Sequence, residues 1–149
     1  MALRATMTGQ LHLKAWAEVK LDMEPGSFAP DAVAMGIFDG DDLLAVILYN
    51  AHYGHYLSMH VATSGSRRWL NRSILSMVFG YAFHHRGVFR VNAMVRQDDL
   101  KTQMMCLKLG FRIEATIRCG ADDGSNGILF GRLKPECPWL KQQEVAGHG

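Results

Sequence analysis

Hydrophobic positions along the chain switch between two periods. Gly9–Asp22 (GQLHLKAWAEVKLD) has helical spacing, with Leu11, Ala15 and Val19 on one stripe. EPGSFAP breaks that run. Ala32–Phe38 and Leu43–Tyr49 then read as strands, and Asp39-Gly40 supplies the positive φ angles of a tight hairpin between them. His55–Val61 reads as a third strand, alternating Leu57, Met59 and Val61 against Tyr56, Ser58 and His60. From Arg67 to His85 the period is helical again. Leu70, Ile74, Met77, Val78 and Tyr81 share a face that Leu75, Phe79 and Phe83 widen, the pattern of a helix buried on most sides.

Gly87 ends that helix and Val88–Val95 reads as a strand. Asp98–Gly110 is a further helix, acidic at its start, with Lys108 and Gly110 at its end and Leu100, Met104 and Leu107 as its core stripe. Phe111–Arg118 and Ile128–Leu133 form a hairpin across CGADDGSNG. The order is helix, three strands, helix, strand, helix, two strands. It predicts an α/β (α+β) fold with a mixed, mostly antiparallel sheet. The two strands flanking the long helix should be parallel, joined by a right-handed crossover.

Composition narrows the class. With 149 residues, 48% hydrophobic and 20% charged, residues 1–140 are expected to form one globular domain, followed by a frayed tail at 141–149. A net charge of +2 gives little support to nucleic-acid binding. Three cysteines without C-x-x-C spacing fit a reducing compartment, and no apolar run approaches a membrane span, so a cytoplasmic protein is expected. His52, His55 and His60 fall on a loop and on opposite strand faces, which argues against a metal site.

Arg67, Arg68 and Arg72 crowd the segment VATSGSRRWLNRSIL, Val61–Leu75. Ser64 and Ser66 are good N-caps, placing the helix start between Gly65 and Arg68. Unpaired first-turn N–H groups and three arginines suit a phosphate or pyrophosphate. An ordinary capped helix with solvated arginines accounts for the same residues.

At this point the chain resembles the GNAT N-acetyltransferase superfamily, whose fourth strand ends in a valine ahead of an Arg/Gln-Gly-x-Gly-x-Gly/Ala loop. With Val61 as that valine, the loop falls on Ser66, Arg67, Arg68, Trp69, Leu70 and Asn71, none of them glycine. DDLKTQMMCLKLGF is similar to the family's Asn-x-x-Ala-x-x-x-Tyr-x-Lys-x-Gly-Phe segment, with Asp99 for Asn and Cys106 for Tyr. The resemblance spans roughly Ala32 to Leu133.

What the resemblance implies is a splayed parallel strand pair, helices on both sheet faces and acetyl transfer from acetyl-CoA to a primary amine, small molecule or protein, without a metal. Met59, Val61, Ser66–Arg72 and Asp99 would hold the acyl-CoA, with a strand amide facing the thioester carbonyl. Cys106 occupies the position of the tyrosine that protonates the departing sulfur; a small buried hydrophobe is its other reading. His60 could take the amine's proton, or be held by a neighbouring hydrogen bond. A homodimer is a further expectation. Two other functions stand beside this one: a non-catalytic member that binds acyl-CoA or a protein, favoured by the missing glycines and tyrosine, and a bacteriophage-type nucleic-acid base modifier using a basic face.

Overall fold

The computed structural model describes residues 2–140, so the tail expected at 141–149 lies outside the described residues. Along the chain come β1 (Leu3–Thr6), α1 (Gln10–Lys20), β2 (Val33–Asp39), β3 (Asp42–Tyr53), β4 (Tyr56–Thr63), α2 (Arg72–Gly80), β5 (Arg90–Arg96), α3 (Leu100–Lys108), β6 (Arg112–Ile117) and β7 (Gly127–Leu133). A π-helical turn, Tyr81–His85, extends α2. The strands form one seven-stranded sheet in the order β1-β2-β3-β4-β5-β7-β6. Every neighbouring pair is antiparallel except β4–β5, which is parallel. The mixed sheet and its single parallel pair therefore match the expectation. β1 does not appear in the sequence reading. Four residues, pairing Leu3–Thr6 with Gly36–Asp39, are too few for a period to show.

Strand alternation assigns the two faces. Ala45, Ile47, Tyr49, Leu57, Met59, Val91 and Val95 join the core under α2 and α3. Val46, Leu48 and Ala62 join Leu13, Ala17 and Phe28 under α1. Tyr49 is fully buried, and its hydroxyl donates to the Val78 carbonyl at 2.7 Å, just ahead of the turn where α2 widens. Among the described residues no helix is long and apolar enough to cross a membrane.

Three expectations are corrected. The stripe assigned to α1 faces solvent: Leu11 and Val19 are 87% and 76% exposed, whereas Leu13 and Ala17 carry the packing. The stripe assigned to α3 faces outward as well, with Leu100, Met104 and Leu107 exposed and Cys106 turned inward. Spacing finds a period, but a short helix with apolar residues on two sides leaves open which side the sheet covers.

The third correction concerns the start of α2, which begins at Arg72. Asn71 is its N-cap, accepting the Ile74 N–H at 2.9 Å. Ser66 instead closes a local turn, its hydroxyl accepting the Arg68 N–H at 3.2 Å. Trp69, 1% exposed, inserts into the core and holds the chain out of helical geometry until Asn71.

The corrected face of α1 predicts opposite responses at neighbouring positions. Leu13→Ala should cost about 2–5 kcal/mol in a urea melt, while Val19→Ser should stay within about 0.5 kcal/mol of the parent. Equal losses would show that the packing face is wrongly placed.

Candidate active site

β4 and β5 pair through only three positions, Tyr56↔Arg90, Leu57↔Val91 and Ser58↔Asn92. Beyond Ser58 each strand keeps its other neighbour: β4 stays paired with β3 to Thr63, and β5 with β7 to Arg96. The two strands therefore separate inside a continuous sheet. The His55 carbonyl accepts from the Arg90 N–H at 3.1 Å, on the β5 side, while the Ser64 N–H donates to the Leu44 carbonyl at 2.9 Å, on the β3 side. By alternation, the backbone groups of Met59 and Val61 point at β5; the Met59 N–H closes the last rung of that ladder on the Asn92 carbonyl, so the Met59 carbonyl and the Val61 N–H are the groups that lie beyond it.

A cavity of about 480 Å³ fills this gap. Its lining has two chemically distinct halves, set by which way each residue of the two strands faces. On the α2/α3 side lie Met59, Val61, Ala93 and Val95, closed by Thr102, Met105, Cys106 and Leu109 from α3. On the α1 side lie His60, Met94 and Arg96, with Asp22 and Glu24 from the loop after α1 and Asp122 and Asp123 from the β6–β7 turn. The strand gap joins the two.

His60 packs edge-on against Phe28, ring centroids 5.7 Å apart. Burial lowers its pKa below the ordinary imidazole value, with the Asp122 carboxylate pulling the other way, so the ring is neutral at neutral pH. Burial, aided by the charge of Asp99, pushes the Cys106 thiol up to about 12. That proton stays on sulfur throughout the physiological range. Asp99 caps α3, accepting the Thr102 N–H at 3.1 Å and the Thr102 hydroxyl at 2.7 Å.

The arrangement thus brings Met59, His60, Val61 and Cys106 together, and leaves Ser66–Arg72 outside the cavity lining. Arg68 forms an ion pair with Asp39 on the β2–β3 hairpin, Arg72 lies over the Trp139 ring at 5.8 Å, and Arg67 is exposed. Trp69 is core, and Leu70 packs against the same core half-buried. A separate depression of about 330 Å³ lies over the start of α2, lined by Leu3, Arg68, Asn71, Ser73 and Ile74. The N–H groups of Arg72 and Ser73 have no intrahelical acceptor there, as at any helix start.

Sequence reasoning missed the acidic half. Its one local signal is the Asp122-Asp123 doublet in a loop read only as a turn. Asp22 gave no signal, since its place depends on a left-handed backbone, φ 57°, that turns the chain after α1.

No family model matches the chain, and no curated protein matches it. Solved structures do. A spermidine N-acetyltransferase SpeG mutant from Vibrio cholerae superposes with a TM-score of 0.71 at 12% identity, over 95% of this chain and 97% of that one. A GNAT-family acetyltransferase from Streptococcus pneumoniae gives a TM-score of 0.65 at 13% identity, over 89% and 99%. Mycobacterium smegmatis RimJ in complex with CoA-disulfide gives 0.61 at 17% identity, over 79% of this chain and 60% of that one. The fold is that of the GNAT acetyltransferases.

The raised thiol pKa carries a direct expectation. At pH 8 iodoacetamide should modify the exposed Cys119 in the native protein and spare Cys106, as read by peptide mass spectrometry. Cys106 alkylated as fast as Cys119 would mean an open, ionisable thiol.

Proposed function

We propose that the chain is an acyl-CoA-dependent N-acyltransferase acting on a primary amine, with acetyl-CoA as the donor. The observation that carries this reading is the early end of β4–β5 pairing, which leaves the Met59 carbonyl and the Val61 N–H facing a cavity that also holds His60 and Cys106. Support comes from the fold shared with solved acetyltransferases and from RimJ having been solved with a CoA derivative.

In this reading the thioester lies in the gap from the α2/α3 side. The Val61 N–H donates to its carbonyl oxygen, where negative charge grows as the amine attacks. The amine enters from the α1 side as the neutral base. Its nitrogen lone pair bonds to the carbonyl carbon, the carbon–sulfur bond breaks, and sulfur leaves with the electron pair. The amine's surplus proton passes to neutral His60, directly or through water. Arg67, Arg68 and Arg72, with the first amides of α2, meet the nucleotide phosphates.

The role of Cys106 is limited by its own acidity. A thiol near 12 giving its proton to a thiolate of ordinary pKa, about 8.5, runs uphill by on the order of 5 kcal/mol. Cys106 is therefore proposed as an S–H hydrogen-bond donor to the departing sulfur, with the proton that finally neutralises CoA arriving from water or His60.

Two measurements test the reading. Saturating acetyl-CoA should raise Tm, and Arg67→Gln/Arg68→Gln should weaken acetyl-CoA binding at least tenfold while the domain stays folded. Affinity within threefold of the parent would refute the phosphate assignment.

The second is the pH profile of kcat/KM for amine acetylation. Protonation of His60 removes the base, so activity should fall as pH drops through a pKa below about 6.5, and His60→Gln should abolish that limb. A limb unchanged in the variant would remove His60 from the chemistry.

A further inference from the structure

A second cavity, of about 630 Å³, lies between β1 and the C-terminal half of α2. It shares no lining residue with the strand gap. Met7, Met35, Met77 and Tyr81 form most of its wall, and no aspartate, glutamate, lysine or arginine lines it. Just past Gly80 the helix widens into the π-helical turn, which the Arg86 N–H closes on the Tyr81 carbonyl at 2.8 Å. Such turns recur at functional sites, and this one carries Tyr81 and His84 to the cavity edge.

Two lining residues suit the cavity better than the helix that holds them. Ser76 is only 8% exposed, yet its hydroxyl has no hydrogen-bond partner among the described residues. A buried hydroxyl left unpaired costs stability, and alanine would serve the helix better. Gly80 has ordinary helical angles, φ −62° and ψ −38°. A Cβ there would meet nothing outside its own turn within 4 Å. Neither a turn nor a close approach requires glycine, so alanine would again be favoured. The two positions are four apart and share one helix face. Together they supply an open space with one polar point in it.

We infer that this cavity is a second binding site, for a neutral planar aromatic molecule whose single hydrogen-bonding group meets the Ser76 hydroxyl. The lining argues each part of that description. Three thioethers and the Tyr81 ring favour an aromatic guest, because sulfur packs well against ring edges. A wall without Asp, Glu, Lys or Arg offers an ionic guest no counter-charge for the water it would lose. The Ser76 hydroxyl can donate or accept one bond, and the volume is ordinary for a small-molecule site. The inference stands apart from the acyltransferase reading, since it uses none of the strand-gap residues.

The test titrates indole, 1-methylindole, indole-3-acetate and cyclohexanol into the full chain labelled with ¹³C at the methionine methyls. Indole should shift the Met7, Met35 and Met77 signals and leave those of Met59 and Met105, in the strand gap, in place. It should bind more tightly than the charged or the saturated probe. Its preference over 1-methylindole should be about two- to tenfold, what one neutral hydrogen bond supplies. Ser76→Ala should raise Tm and erase that preference. Gly80→Leu, which puts a side chain into the space, should weaken indole binding at least tenfold in a folded protein. Ser76→Ala makes the same test without added bulk. Indole signals confined to Met59 and Met105, or no shift at all, would overturn the inference. So would tighter binding of indole-3-acetate, or a preference over 1-methylindole that survives Ser76→Ala. A dimer that Gly80→Leu renders monomeric would assign the cavity to a second copy of the chain instead.

Discussion

The site depends on a hydrogen-bond ladder that stops. β4 and β5 share three paired positions and then part, each still tied to its outer neighbour. Had the ladder continued, the Met59 carbonyl and the Val61 N–H would be spent on β5 and the cavity would be closed by ordinary sheet. Leaving strand groups without a backbone partner at a partly enclosed site is costly, on the order of 1–3 kcal/mol for each group that water does not reach. The sheet tolerates that cost because the pairing is complete on both sides of the gap.

Once the strands part, the alternation of side chains does the rest. Met59 and Val61 turn to the α2/α3 side and His60 to the α1 side, so one strand supplies walls to two chemically different chambers. α3 closes the apolar chamber with Cys106, Met105 and Leu109. The loop after α1 and the β6–β7 turn border the other. A substitution that shifted the β3–β4 register by one residue would exchange these faces, placing the imidazole on the apolar side and Met59 among the carboxylates.

The strands were legible in the sequence because each core strand is long enough to show its alternation, and the parallel pair followed from the long helix between two of them. Met59, His60, Val61 and Cys106 could be singled out from local pattern and resemblance, and the structure brings these four to one cavity. The faces of α1 and α3 were not legible. Leu11 and Val19 have the right spacing for a core and the wrong orientation: the neighbouring stripe of Leu13 and Ala17 is the one that packs with Phe28, Val46, Leu48 and Ala62. The start of α2 misled for another reason. Ser66 has the chemistry of a cap, but the burial of Trp69 outweighs one capping bond and postpones the helix to Asn71. The carboxylates of the acidic half come from two separated segments, the loop after α1 and the β6–β7 turn, a contribution of tertiary structure that no local window contains.

Proton traffic ties the two chambers together. In the proposed acyl transfer one proton leaves the amine and one is taken up at sulfur, on opposite sides of the strand gap. Cys106 holds its own proton too firmly to give it up at neutral pH, and His60 holds an acquired one too weakly to keep it. Neither group can store the proton, so water at the cavity mouth has to carry it. The carboxylates of the α1 half favour that direction of travel, because they stabilise a passing positive charge next to His60 and, through Asp122, soften the penalty of protonating it. In this reading the carboxylates of the α1 half assist proton release, and the apolar chamber remains the place where sulfur leaves.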